Sequence, residues 1–353
     1  MSWFNRKQNT VLSIDISTSA VKLLELSRMG TRYKVESFAI AAFPQDAIAD
    51  KNIVNVDVIA ETIKVALKRS DTKLKRATVA VSGSAVMTKI ITLPGSLNDD
   101  EMEGQIMIEA DQYVPYSLDE LNFDFEVQQV NENNPEMVDV LLVASRKENV
   151  ADRVEALLKA GLKTDIVDVE SFAMENAFSL LTEQFADSKG AHTVAIADIG
   201  ATVASLNVLH NGKLVYTREQ GFGGKQLTEE IQRRYGLSYE EAGLAKRHGG
   251  LPDNYTADVL EPFKKAMVEQ IQRSLQFFVS SSANREIDSL VLAGGCASIP
   301  GVNKLIEKSI GVPVYIANPF INMTLSNKIK THTLSNDAPT MMIACGLALR
   351  SFD

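Results

Sequence analysis

Residues 12–26 read LSIDISTSAVKLLEL. Two strand-like apolar runs enclose Asp15, Ser17, Thr18 and Ser19, and the second run carries Lys22 at a position that alternation places among apolar neighbours. A buried ammonium without an anion is expensive, so Lys22 calls for a negative partner, and phosphate is the partner this turn favours. Backbone N–H groups of a short turn of small residues can point at phosphate oxygens. The pattern returns at residues 192–219, HTVAIADIGATVASLNVLHNGKLVYTRE, as strand, tight turn, strand, turn, strand. Each unit has an aspartate at the end of its first strand, Asp15 and Asp198. Two such turns facing each other would clamp a phosphate chain. Their aspartates, repelled by phosphate, would act through a hydrated Mg²⁺.

Around these two units the chain organises as a duplicated α/β protein. With 353 residues and 45% apolar content it is long enough for two cores. The expected N-terminal lobe spans 10–190, with core segments 10–83 and 166–190 and an inserted module over 84–165. The expected C-terminal lobe spans 191–353, with core segments 191–222 and 287–353 and a helical part over 223–286. In the first lobe TVLSIDI, AVKLLELSR, RYKVESFAIAAF and RATVAVSG read as strands, and Ile59, Ile63, Ala66 and Leu67 mark one face of a helix. The insert reads strand, helix, strand, strand: VMTKIITL, a helix with Met102, Ile106, Ala110 and Tyr113 on one face, LNFDFEVQQV and VDVLLVAS. Met87, Ile90, Ile91 and Leu93 are expected to pack as core, and the acidic run 98–104 to open the helix. A helix with Val150, Val154, Leu157 and Leu158 on its apolar face should end at Gly161. In the second lobe Ser238 and Glu241 have capping-box spacing, and Val259, Phe263, Met267, Ile271, Leu275 and Phe278 trace a long helix.

The formal charge of -9 and pI near 5.2 exclude non-specific attraction to nucleic acid or anionic lipid. Cys296 and Cys345 lie in apolar stretches and read as buried reduced thiols, which points to a cytosolic protein. His192, His210, His248 and His332 are scattered without zinc-ligand spacing. The N-terminus lacks a signal-peptide core, and no run approaches the roughly 20 apolar residues of a membrane span. Trp3 and Phe4 beside Arg6 and Lys7 read as a frayed end or a short anchoring tail.

At this point the chain resembles the actin-like nucleotide-binding superfamily of actin, DnaK-type chaperones, sugar kinases and FtsA. Five blocks match in order. IDISTSAVK resembles the first phosphate motif, with Asp15 and Lys22; VDVESFAMENAF resembles the first connecting motif, with Glu170; IADIGATVA resembles the second phosphate motif, with Asp198, Gly200, Ala201 and Thr202. LAGGCASIPG resembles the adenosine motif, with Gly294, Gly295, Ser298 and Gly301, and PTMMIACGLALR resembles the second connecting helix, with Ala344 and Gly346 small enough for close helix approach. GFGGKQLTEEI resembles the glycine pair before a ribose-contacting helix, with Gly223, Gly224 and Lys225. EEAGLAK resembles a purine-contacting helix in which the lysine is Lys246 and the family's glutamate is replaced by Gly243.

The resemblance implies an actin-like two-lobed ATPase fold of duplicated RNase H-like domains with an inserted strand-helix-strand-strand (SHS2) subdomain. It implies ATP and Mg²⁺ as cofactors. Asp15 and Asp198 would hold Mg²⁺ through water, Glu170 would align the attacking water, and Ser17, Thr18, Ser19, Lys22, Gly200, Ala201, Thr202, Gly223, Gly224, Lys225, Lys246, Gly294, Gly295 and Ser298 would contact the nucleotide. Ser17 stands where the family often has glycine, so binding is better supported than turnover, and any ATPase activity would be weak and Mg²⁺-dependent.

The position of the insert, EADQYVPYSLDELNFDFEV and VDVLLVASRKENV are similar to the PilM family of cytoplasmic proteins in type IV pilus assembly. That resemblance implies a scaffold at the inner membrane, peripheral through its partners. The partners would be the N-terminal cytoplasmic tail of PilN, received beside the inserted module, and the pilus motor or platform, with self-association left open. An FtsA-like cell-division filament protein, a sugar kinase and a nucleotide-independent interaction module are the competing readings.

Overall fold

The computed structural model describes residues 10–44, 47–49, 51–113, 116–131, 134–185, 192–282 and 285–352. The tail around Trp3, Phe4, Arg6 and Lys7, most of the polar break 183–191 and the Tyr113 side chain lie outside the described residues. The chain begins with β1 (Leu12–Ile16), β2 (Ala20–Met29) and β3 (Arg32–Ala42), a small hairpin of β4 (Ile48–Ala49) and β5 (Asn52–Ile53), helix α1 (Val56–Ser70) and β6 (Arg76–Val81). The insert contributes β7 (Val86–Pro94), α2 (Asp99–Tyr113), β8 (Leu121–Val130) and β9 (Met137–Arg146), after which α3 (Lys147–Lys159), β10 (Lys163–Val169) and α4 (Glu170–Phe178) return to the first sheet. Then follow β11 (Thr193–Ile199), β12 (Ala204–His210), β13 (Lys213–Gln220), α5 (Gly224–Tyr235), α6 (Tyr239–His248), α7 (Glu261–Ser281) and β14 (Ser289–Ala293). The chain closes with α8 (Val302–Ile310), β15 (Val314–Ile316), β16 (Thr324–Leu325), α9 (Thr331–Asp337) and α10 (Met342–Leu349).

The same strand order is built twice. The first sheet runs β10-β6-β1-β2-β3-β16 and the second β15-β14-β11-β12-β13. In each, three consecutive strands form an antiparallel meander and the later strands add in parallel beside the first of them. This is the duplicated RNase H-like architecture expected from the sequence. The strand Thr324–Leu325 departs from its neighbours in the chain and pairs with β3, so the C-terminal segment edges the first sheet.

Each sheet has a core on one face, α1 and α3 covering the first and α5 to α8 the second. A third core lies between the sheets, where α4 and α10 bring Met174, Ala177, Ala344 and Cys345 against Leu24 and Leu26 of β2 and Ile196 and Val291 of the second sheet. The two helices cross so closely that a Cβ at Gly346 would lie 1.7 Å from the Ala173 carbonyl oxygen. Helix α10 is tied to the first sheet by Ser13 Oγ donating to Ala344 O at 2.6 Å and by Arg350, whose guanidinium forks onto the Asp168 carboxylate. These joints set how the heads of β1 and β11 face each other.

The inserted module has the expected strand-helix-strand-strand order, with its own core of Ile91, Leu93, Met102, Ile106, Ala110, Val140 and Leu142. Two faces differ from the sequence reading. Ile91 and Leu93 are buried, but Ile90 is exposed, because a strand turns successive side chains to opposite faces. On α3 the buried face is Arg153, Ala156 and Leu157, and Leu158 is exposed; the charged Arg153 takes the inward position that a purely apolar count gives to leucine. Gly161, at φ +83°, ends α3 as expected. The long helix through Phe263 and Phe278 is entered by a π-turn over Thr256–Leu260, just before Pro262, whose ring nitrogen has no hydrogen to continue the α pattern.

Candidate functional site

Asp15 and Asp198 occupy the same place in the two sheets, next to the last residue of β1 and β11. Each strand then enters a turn closed the same way: Ser17 N–H donates to Ala20 O at 3.0 Å, and Gly200 N–H donates to Val203 O at 3.0 Å. Ser17 thus stands at the counterpart of Gly200. Neither Ser17 nor Ala201 takes a positive φ, and the Ser17 hydroxyl reinforces its turn with a second bond to Ala20 O at 2.9 Å.

The antiparallel register sets Asp15 directly opposite Lys22 and Asp198 directly opposite Ser205. Lys22 Nζ donates to Asp15 Oδ2 at 2.8 Å, with Asp15 almost fully buried. The anion that Lys22 required is therefore supplied in part by the chain itself. Burial works against the Lys22 charge, but Asp15, then Asp198 and Glu170, outweigh it and hold the ammonium protonated above its ordinary range. Asp198 has no ion pair among the described residues. Burial raises its carboxyl above the ordinary value, opposed by Lys22 and Lys51 and reinforced by the charge of Asp15.

Glu170 is the first residue of α4, where the helix N-terminus favours a negative side chain. Burial raises its carboxyl, opposed first by Lys51. Lys51 was not singled out from the sequence. It sits between β4 and β5 with φ +64°, and its Nζ bonds Glu170 Oε2 at 2.6 Å and Glu219 Oε1 at 2.8 Å. Glu219 was missed as well, although it extends the row Asp198, Ser205, Glu219 across the second sheet. The Lys51 backbone is held by buried Arg153, which donates to Ala80 O at 2.8 Å, Asn149 O at 2.9 Å and Lys51 O at 3.3 Å. Nothing in the local sequence of Lys51 announces these contacts, since its partners lie 119 and 168 residues away.

Four carboxylates, Asp15, Glu170, Asp198 and Glu219, thus share a small region with the ammonium groups of Lys22 and Lys51. The acids outnumber these lysines. No group of three or more His, Cys, Asp or Glu side chains among the described residues could hold a metal directly. A hard cation held through water fits this donor set: its oxygens belong to carboxylates gathered in one small region, and Asp198 carries no cation of its own.

Glycines wrap the second turn. A Cβ at Gly223 would lie 2.4 Å from Ala201 O, and one at Gly294, whose φ is +81°, would lie 2.4 Å from both Asp198 Oδ1 and Ile199 O. Gly224 N–H and Lys225 N–H donate to Gly200 O and Ala201 O, which fastens the start of α5 to the turn. Lys246 reaches from α6 to Gly224 O at 3.0 Å and Thr228 Oγ1 at 2.5 Å. Burial lowers its pKa. The structure thus brings Asp15, Ser17, Lys22, Glu170, Asp198, Gly200, Ala201, Gly223, Gly224, Lys246 and Gly294 onto the facing turns and their glycine rim. Thr18 and Thr202 are half-buried within the turns and Ser19 exposed at the tip of the first. Gly295 and Ser298 are exposed in the short helical turn after β14, and the Lys225 side chain faces Glu229 at 3.9 Å. Cys296, behind this turn, is an uncharged thiol, its pKa pushed by burial up to about 11.

The sequence profile of the family described as "Type IV pilus assembly protein PilM" matches residues 13–352. A solved PilM-PilN type IV pilus biogenesis complex is similar with 28% identity and a TM-score of 0.81, covering 98% of this chain and 99% of that one. The cell division protein FtsA of Bacillus subtilis is 24% identical over 352 residues, covering 87% of this chain and 78% of FtsA. The ethanolamine utilization protein EutJ from Carboxydothermus hydrogenoformans is similar in fold, with 13% identity and a TM-score of 0.57. The fold is therefore the actin-like ATPase fold.

Proposed function

The chain belongs to the PilM family of type IV pilus assembly proteins, and on that footing we propose that it is an ATP-binding scaffold docked on the cytoplasmic N-terminal tail of PilN. The single observation that carries the nucleotide half is the pairing of the two turns. Asp15 with Lys22 on one and Asp198 on the other converge with Glu170, and Gly223 and Gly294 leave no room for side chains beside the second.

In this reading the phosphates of ATP lie between the turns, and Lys22 turns part of its charge from Asp15 to them. Asp15 and Asp198 would hold Mg²⁺ through water, and the ion would supply positive charge against the phosphates. Lys246 and the Gly223–Gly224 backbone border the nucleoside. Glu170, held by Lys51, is the candidate to orient a water. Its salt bridge to Lys51, which holds the carboxylate away from a water, suits slow turnover or none. No helix among the described residues is long and apolar enough to cross a membrane, so the proposed place at the inner membrane comes through PilN.

Titration calorimetry with Mg-ATP, with and without a synthetic peptide of the PilN tail, tests both halves. Heat of binding with ATP that disappears in Asp198→Ala supports the site. Absence of ATP binding in the wild-type chain removes the nucleotide claim, and absence of peptide binding removes the PilN claim.

A further inference from the structure

Lys51 is a half-buried lysine that joins the two lobes and has no part in either phosphate turn. Its side chain is 13% exposed, and its partners Glu170 and Glu219 are 12% and 18% exposed. Glu170 belongs to the element that leaves the first sheet, whereas Glu219 is next to the last residue of β13 at the edge of the second. Other ion pairs that reach between these halves include Lys213–Glu175, Lys328–Asp71 and Arg350–Asp168, and each of those leaves at least one partner a third or more exposed. The lysine is also presented rather than merely present. Its backbone takes the left-handed conformation that residues with a Cβ adopt rarely, and Arg153 clamps its carbonyl.

The far end of this bridge is wired to the candidate ligand site. Glu219 lies four residues before Gly223, whose backbone packs on Ala201 of the second turn, and it abuts the short helical turn at Gly83, where a Cβ would come within 3.3 Å of its Oε1. Lys51 also acts on the Asp198 carboxylate electrostatically, so its charge already reaches the head of β11. Two acids on one ammonium leave a negative excess beside a cleft proposed to receive a polyanion. An entering triphosphate and Glu219 would then compete for the same cation.

We propose that the Lys51–Glu219 bridge is an interlobe latch that competes with bound triphosphate, tying the lobes when the cleft is empty and yielding its ammonium when phosphate arrives. The latch rests on the nucleotide reading given above for its second half only. The tether itself is a property of the ligand-free chain. Removing the acid should therefore favour ligand, and removing the lysine should disfavour it, although both substitutions break the same ion pair. A purely structural bridge would move ligand affinity in one direction for both.

The test has two arms on the full chain. Without nucleotide, amide hydrogen exchange around the end of β13 and the turn before β5 should quicken several-fold in both Lys51→Met and Glu219→Gln and stay slow in Lys51→Arg, which keeps the charge. Unchanged exchange in both neutral variants overturns the tether, whatever ATP does. In the second arm, calorimetry with Mg-ATP should show affinity about tenfold higher in Glu219→Gln and about tenfold lower in Lys51→Met. Equal or weaker binding in folded Glu219→Gln overturns the competition. Wild-type protein that binds no ATP while the exchange arm succeeds refutes the nucleotide reading and leaves a ligand-independent bridge in place of the latch. Should Glu219→Gln fail to fold, Glu219→Asp, with its shorter reach, serves in both arms, with the same directions expected.

Discussion

In the first hairpin Asp15 stands opposite Lys22, and in the second Asp198 stands opposite Ser205, at the same register in sheets of the same order. The backbones agree down to the hydrogen bond that closes each turn. The charges do not. The first turn carries its own counter-ion and tolerates the side chain of Ser17 where its twin has glycine. The second leaves its carboxylate without a cation and sets beside it Gly223 and Gly294, where a Cβ would come within 2.4 Å of neighbouring oxygens. Duplication supplied two equivalent scaffolds, and the side chains then divided the work: one turn stores a cation, the other stores an unbalanced anion in a close-fitting backbone.

The strongest way to break this contrast is Lys22→Met. It strands the almost fully buried Asp15 without its ammonium, and removing one partner of a buried ion pair costs about 3–5 kcal/mol. Urea unfolding should show that loss, and the double variant Asp15→Asn with Lys22→Met should recover part of it. A single-variant loss under about 1 kcal/mol would mean that water already screens the pair. Gly346→Ala comes next, at roughly 3 kcal/mol, because the new methyl would meet the Ala173 carbonyl where α10 crosses α4. Both turns hang from that crossing, so thermal melting and ATP affinity should fall together. Intact affinity in a destabilised protein would show that the turns align without it. Gly294→Ala, at about 2 kcal/mol, probes the second turn alone, where a methyl meets both Asp198 and Ile199 O in a backbone of φ +81°. Its mirror, Ser17→Gly, should change stability by less than about 1 kcal/mol, since Ser17 has no positive φ to relieve.

How much of this was legible in the sequence follows from the distance over which each feature is determined. The hairpins, the need of Lys22 for an anion, the capping box at Ser238 and Glu241 and the C-terminal glycine of α3 are set within a few residues, and the period-two and period-four patterns expose them. The duplication was legible because the strand-turn-strand pattern repeats. Lys51, Glu219 and Arg153 were not, since a charged residue on a short strand or helix reads as solvated unless its distant partners are known. Leu158 and Ile90 mislead for the converse reason: apolar residues on a surface obey no rule that keeps them inside. The strand Thr324–Leu325 escaped too, because two residues carry no periodicity and only pairing with β3 defines them.

A small expected effect has the most informative sign. Burial raises the Asp198 carboxyl above its ordinary value of 3.8, against the pull of Lys22 and Lys51. The folded chain then binds more protons there than the unfolded chain, so stability falls as pH climbs from that ordinary value through the raised one, and stays lower at neutral pH. Asp198→Asn removes the penalty while keeping the shape. The ligand-free variant should be more stable than wild type at pH 7 by on the order of 1 kcal/mol, with a flatter pH dependence on the acid side. Mg-ATP binding should be lost in the same protein. Asp15→Asn, by contrast, should destabilise, because Lys22 loses its anion. If both asparagine variants were less stable than wild type, Asp198 would have to be bonded as Asp15 is, and the division between a self-balanced turn and an unbalanced one would fail. Opposite signs would locate the unbalanced charge on the second turn, the position from which a cation carried in by a ligand would be drawn.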